Sequence, residues 1–200
     1  MNKIILASKS PRRIELLKMC NIDFISLVAD IDEDLIKSDL LATFNYEGSF
    51  KQAEIITKKL AYEKANYIYK QNPNHLVIGS DTLVVTNKSI LGKPKDPQDA
   101  YNMLKELSGN IHRVYTGVSM IGPGYEDNFV SVAKVKFFDF DKNMDQIILD
   151  YIDSGSPMDK AGAYGIQDMG CLLVDYIEGD YYTIMGLPLS LIYRKLKAIK

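Results

Sequence analysis

The chain has 200 residues, 46% hydrophobic and 25% charged, with 24 Lys and Arg against 26 Asp and Glu for a net charge of −2. A chain of this length buries roughly 70% of its unfolded surface, and with this composition neither a disordered, a fibrous nor a coiled-coil protein is expected. The slightly acidic balance argues against general attraction to nucleic acid polymers, and no run approaches the 18 or so apolar residues of a membrane span.

Before Lys9 and the pair Arg12-Arg13, the only apolar run is Ile4 to Ala7. A secretory leader needs about 7–15 apolar residues. Residues 3–7 therefore read as a short buried strand, and the protein as cytoplasmic. Residues 11–20 read as a helix, with Ser10 at its N-cap and Pro11 at its first position. Arg12 and Arg13 then stand in its first turn, where the helix dipole is already positive. Free backbone N–H groups, the hydroxyls of Ser8 and Ser10 and two guanidinium forks would surround a bound phosphate group. The alternative is a solvated arginine pair on an exposed turn.

Residues 22–28 read as a second strand. Asp30, Asp32, Glu33 and Asp34 follow in a polar stretch that reads mostly as a solvated loop. One of these acids could join Asp81 at a metal, and hard oxygen ligands without a histidine cluster would select Mg²⁺ or Mn²⁺. A long helix is expected over residues 50–70, where Ala53, Ile56, Leu60 and Ile68 form an apolar stripe. Lys64 occupies the same stripe and must either snorkel or meet an anion.

Residues 75–79 and 82–86 read as strands, with 89–91 returning as a hairpin. Asp81, in Gly79-Ser80-Asp81-Thr82, is placed at the carboxyl end of a buried strand, where open α/β sheets put their ligands. It would hold a divalent cation or take a proton from water; otherwise it is a turn aspartate satisfied by backbone N–H groups. Lys93 precedes Pro94, which holds its backbone extended. A helix over 97–107 has Asp96 as cap, Pro97 first and Gly109 just past its end. Strands at 111–121 and 128–138 flank Gly122-Pro123-Gly124, and a helix is expected at 143–153.

Ser154 to Gly170 carries Gly155, Gly162, Gly165 and Gly170. A connection this long is usually functional or disordered, and the apolar strand expected at 171–177 favours order. Gln167 offers an amide that could read a base edge; a tight structural loop is the alternative. A last helix from Pro188 turns Leu189, Ile192, Leu196 and Ile199 inward. The sum is a single α/β domain, 1–200, with a mixed twisted sheet and helices on its faces. Cys20 and Cys171 form no CxxC and read as free thiols in or near the core. With His75 and His112 as the only histidines, no familiar zinc spacing exists.

These motifs resemble the Maf proteins, nucleoside triphosphate pyrophosphatases. The resemblance is carried by Ser8-Lys9-Ser10-Pro11-Arg12-Arg13, Asp32-Glu33, Glu63-Lys64-Ala65, Gly79-Ser80-Asp81-Thr82, Leu91-Gly92-Lys93-Pro94 and Leu107-Ser108-Gly109 with His112. Asp159 to Gln167, Gly179 to Tyr182 and Met185 to Leu189 complete it, in family order over essentially the whole chain. Only residues 38–50 match no family pattern closely. The loop Asp159-Lys160-Ala161-Gly162-Ala163-Tyr164-Gly165-Ile166-Gln167 resembles the subgroup acting on dTTP and UTP; the 7-methyl-GTP subgroup carries a different loop.

The resemblance implies a Maf/ITPase-like fold of two lobes around a central cleft. It implies hydrolysis between the α- and β-phosphates to a monophosphate and pyrophosphate, with Asp81 as proton acceptor. Arg12, Thr82 and Gln167 match positions linked to substrate choice. Ser8, Arg13, Glu33, Lys64, Lys93, Asp159 and Lys160 match the phosphate and metal pocket, with Glu33 and Asp81 on a divalent cation, Mg²⁺ or Mn²⁺. A homodimer is implied as well. The competing class is a nucleotide-responsive regulator of cell division with little turnover.

Overall fold

The computed structural model describes residues 4–199. Lys3, assigned above to the first strand, lies outside the described residues. β1 (Ile4–Ala7) pairs in parallel with β2 (Phe24–Leu27) on one side and with the start of β3 (Leu76–Val85) on the other. The two-residue β4 (Ile90–Leu91) is antiparallel to the end of β3. β5 (Ile111–Gly122), β6 (Tyr125–Phe137) and β7 (Val174–Glu178) continue the sheet by antiparallel pairing, in the order β2-β1-β3-β5-β6-β7. The mixed sheet expected from the sequence is present.

One detail of this pairing positions the site. β1 ends at Ala7, opposite Gly79, and β4 reaches back only to Val84, which faces its last residue, Leu91. Residues 80–83 of β3 therefore have a strand partner only on the β5 side. The sheet has a gap there.

Helices cover both faces. α3 (Ser49–Gln71) lies along one face, where Ala65 and Ile68 pack on Ile5, Ala7, Val77 and Ile121, and Ala53, Ile56 and Leu60 on Leu83, Val85 and Tyr115. On the other face, α1 (Pro11–Met19) and α7 (Leu189–Ala198) cover one end through Leu16, Leu17, Leu189 and Ile192. α4 (Pro97–Leu107) and α5 (Lys142–Asp153) cover the other end through Leu104, Leu107, Met144 and Ile148. The two blocks share one sheet and stand on either side of its gap. Among the described residues no helix is long and apolar enough to cross a membrane.

Four expectations are corrected, and one element is added to those expected. The strands placed at 75–79 and 82–86 are one continuous strand, β3, with Asp81 inside it. Gly79 is not a breaker: a Cβ there would collide with the Ala61 carbonyl of α3, so the glycine admits the helix to the sheet. The acids at 32–34 are not a loop. Asp32 caps α2 (Glu33–Thr43) by accepting from Leu35 N at 2.9 Å, and Glu33 and Asp34 suit the positive end of its dipole. The strand expected at 171–177 begins at Val174, because Asp168 caps a 3₁₀ turn over Met169–Leu173. A short helix, α6 (Tyr181–Met185), was not foreseen. Cys171 is exposed rather than in the core, and Cys20 is half-buried.

Candidate active site

A cleft of about 710 Å³ opens at the gap in the sheet. Asp81 and Thr82 are consecutive residues of β3 and project to opposite faces, yet both line it, because no strand closes that edge.

On the α3 face, Lys64 Nζ lies 2.7 Å from Asp81 Oδ1 and 2.7 Å from Glu33 Oε2. Lys64 and Asp81 are buried, whereas Glu33 is exposed in the first turn of α2. The stripe lysine has thus met anions, but both belong to the protein. Asp81 Oδ2 has no hydrogen-bond partner among the described residues. No group of three or more His, Cys, Asp or Glu side chains among the described residues is placed to hold a metal ion.

On the other face, Ser10 caps α1, its N–H reaching Ser8 Oγ at 3.2 Å. Arg13 Nε donates to Gly186 O at 2.8 Å and Nη2 to Thr82 Oγ1 at 2.9 Å. Burial draws the Arg13 pKa down, an effect the Asp81 carboxylate partly offsets. Arg12 reaches across to Asp159, with Nη1 3.4 Å from Oδ2. Lys93 is exposed at the cleft wall.

The glycine-rich segment is ordered by its own polar network. Lys160 Nζ is buried against Ser156 O at 2.5 Å, Asp159 Oδ1 at 2.8 Å and Asp168 Oδ2 at 3.3 Å. Asp168 also accepts from Tyr151 OH at 2.8 Å and Ser156 Oγ at 2.9 Å, and Tyr151 OH accepts from Gly165 N at 2.9 Å. Burial would raise the Asp168 pKa; the Gly170 N–H, the two hydroxyls and Lys160 outweigh it and hold the group low. For Asp159 the same contest is won by Lys160 and Arg12. Tyr164 lines the cleft, and its hydroxyl meets His112 Nε2 at 2.8 Å. Gln167 is exposed at the cleft and has no hydrogen-bond partner among the described residues.

The structure thus brings Ser8, Arg12, Arg13, Glu33, Lys64, Asp81, Thr82, Lys93, Asp159, Lys160 and Gln167 to one cleft. It separates them by what they touch: Lys64 and Lys160 are bound by the protein's own carboxylates, while Lys93 and Gln167 stand open. The sequence reading missed the Gly186 carbonyl that holds Arg13 and the Tyr151–Asp168 brace. An Asp180 N-cap before a left-handed Gly186 was the readable signal for the first. Tyr151 sits among the apolar residues of α5 and gave none.

A family model described as Maf-like protein matches residues 3–199. A dTTP/UTP pyrophosphatase of Geobacillus sp. (strain WCH70) is 44% identical over 199 residues, covering 100% of this chain and 99% of that one. A dTTP/UTP pyrophosphatase of Aquifex aeolicus (strain VF5) is 41% identical over 199 residues, covering 98% and 95%. Among solved structures, the Staphylococcus aureus Ham1 protein aligns over 100% of both chains at 13% identity with a TM-score of 0.49.

Proposed function

Because the chain belongs to the Maf-like protein family, we propose that it is a nucleoside triphosphate pyrophosphatase acting on dTTP and UTP. The observation that carries this reading is the run of relatives named for that activity, more than 40% identical over almost their whole length. The cleft supplies the chemistry. Water attacks the α-phosphorus, the new P–O bond forms, and the bond from the α-phosphorus to the bridging oxygen breaks. Pyrophosphate leaves with that electron pair, and the proton of the water passes to Asp81. Lys64 holds Asp81 by Oδ1, which leaves Oδ2 for the water.

The negative charge of the triphosphate is met by Arg12, Arg13 and Lys93 and by the N-terminus of α1 with Ser8. Lys160 and Asp159 act on the loop, holding it so that Gln167 faces the base. The amide donates to one carbonyl of the thymine or uracil ring and accepts from its N3–H.

The donor set fits a divalent cation. Asp81 and Glu33 are hard oxygen ligands, and Mg²⁺ usually takes one or two carboxylates and completes its shell with water and substrate phosphates. When bound, such an ion adds charge neutralisation at the phosphates and lowers the pKa of water. Asp81 and Glu33 would hold it.

Pyrophosphate release, measured for each nucleotide at equal concentration with Mg²⁺ or Mn²⁺, tests the reading. dTTP and UTP are cleaved ahead of CTP, ATP and GTP, and Asp81→Asn lowers turnover by about 10²-fold or more with folding intact. A preference for 7-methyl-GTP or another purine overturns the base assignment alone. No pyrophosphate from any nucleotide overturns the reaction.

A further inference from the structure

We infer that Thr116, a buried residue of β5 that touches no part of the cleft's open surface, is a positioning residue that aims Arg13 at the polyphosphate. This rests on reading the cleft as a polyphosphate site.

The hydroxyl protons of this chain can run in only one direction. Thr116 Oγ1 lies 2.8 Å from Thr183 O. A carbonyl only accepts, so the single Thr116 proton is committed there. The contact between Thr116 Oγ1 and Thr82 Oγ1, 3.0 Å, must then be donated by Thr82. With its own proton spent, Thr82 Oγ1 can only accept from Arg13 Nη2, as its 2.9 Å contact requires. The chain runs one way, from Arg13 through Thr82 and Thr116 to Thr183.

Two conclusions follow. Thr82 has no proton left for a ligand, so its effect on substrate passes through Arg13. Arg13 has five N–H donors, of which Nε and one on Nη2 are fixed by Gly186 O and Thr82. The remaining three, two on Nη1 and one on Nη2, have no partner among the described residues, and Arg13 lines the cleft. Both ends of the clamp rest on α6 and the left-handed glycine that caps it, Gly186. Thr183 is tied to its cap, N and Oγ1 each donating to Asp180 Oδ2 at 2.8 Å. Gly186 O also lies 3.0 Å from Ser80 Oγ. A guanidinium clamped at two points loses less freedom when it binds an anion.

The test uses inorganic tripolyphosphate, with binding measured by calorimetry, so it does not depend on turnover. Thr116→Val removes the hydroxyl at nearly constant volume and weakens binding by about tenfold, the upper end of the scale for one lost hydrogen bond between neutral groups. Thr116→Ser keeps the hydroxyl and restores binding to within about twofold. In an Arg13→Ala background, Thr116→Val has no further effect, because its only route to the ligand is gone. If Thr116→Val fails to fold, Thr82→Val takes its place, with the same tenfold loss and the same silence without Arg13. An equal loss with and without Arg13, or a serine variant as poor as valine, overturns the inference. If the wild type binds tripolyphosphate in this pattern yet releases no pyrophosphate from any nucleotide, the proposed reaction fails while the clamp stands.

Discussion

His112 has no exposed surface, and its ring is packed edge-on against Phe137 and Tyr164 with centroids 5.0 and 5.4 Å away. Nε2 meets the Tyr164 hydroxyl, while Nδ1 has no partner among the described residues. Burial pushes its pKa from 6.5 down to about 3. Between those values the unfolded chain takes up a proton that the folded chain refuses. Stability from this group is therefore complete above about pH 6.5 and drains away as pH falls toward 3. From pH 7 to pH 5 the loss is about 2 kcal/mol. Urea unfolding at both pH values measures it, and His112→Gln, which keeps a hydrogen-bonding group without a titration, shows a smaller drop by about that amount. An identical drop in the variant would mean that the acid limb belongs to other groups. At this scale the sequence indicated which residues gather at the cleft better than what they touch. Lys64 was legible as a stripe lysine that must meet an anion, but that its anions are Glu33 and Asp81 depends on where α2 docks, and no local pattern encodes that.

The position of α3 decides whether Lys64 can reach Asp81 at all. Ala53, Thr57, Ala61 and Ala65 recur every four residues and place a small-residue face on the sheet. Opposite them stand Gly79 and Gly117, where an added Cβ would collide with the carbonyls of Ala61 and Thr57 respectively. The obstruction is helix backbone, which cannot swing aside as a side chain does. Gly79→Ala therefore forces α3 off the sheet, at a cost of roughly 3 kcal/mol from overpacking. It also lowers turnover beyond the stability loss, since the Lys64 contact to Asp81 lengthens. Denaturant unfolding and pyrophosphate release together check this; a variant with wild-type stability would show that the helix adapts freely. The same contact explains where the element reading succeeded and failed. Helix α4 was legible to the residue, because Asp96, Pro97 and Gly109 are local signals. The continuity of β3 was not, because Gly79-Ser80 looks like a break until the helix above it is known. α2 carried a readable cap in Asp32, but four acids in five residues look like a solvated loop before Leu35, Ile36 and Leu40 are weighed.

The molecule as a whole is slightly acidic, at −2, so its distant field does not draw in a polyanion. Attraction must come from cations that act at close range inside the cleft, and these differ in how water reaches them. Arg13, on the block of α1 and α7, is tied to Gly186 just past α6 and to Thr82 of β3. Lys93 is exposed on the opposite wall, beyond β4. Arg12 and Asp159 span the gap between the two blocks, one half-buried and the other exposed. Salt shortens the range of exposed charges, from about 30 Å at 0.01 M to about 3 Å at 1 M, and reaches partly buried ones much less. The mouth of the cleft should therefore be salt-sensitive and its floor should not. Tripolyphosphate affinity of the wild type falls several-fold between about 0.05 M and 0.5 M NaCl. Lys93→Ala binds more weakly at low salt and loses less on adding salt. Arg13→Ala also binds more weakly but keeps nearly the wild-type salt dependence, because the screened cation at the mouth is still present. Calorimetric titrations of the three proteins at both ionic strengths check this, with a neutral nucleoside as the control that salt leaves unmoved. If Lys93→Ala retains the full salt dependence, Lys93 does not face the phosphates, and the wall beyond β4 contributes shape to the cleft rather than charge.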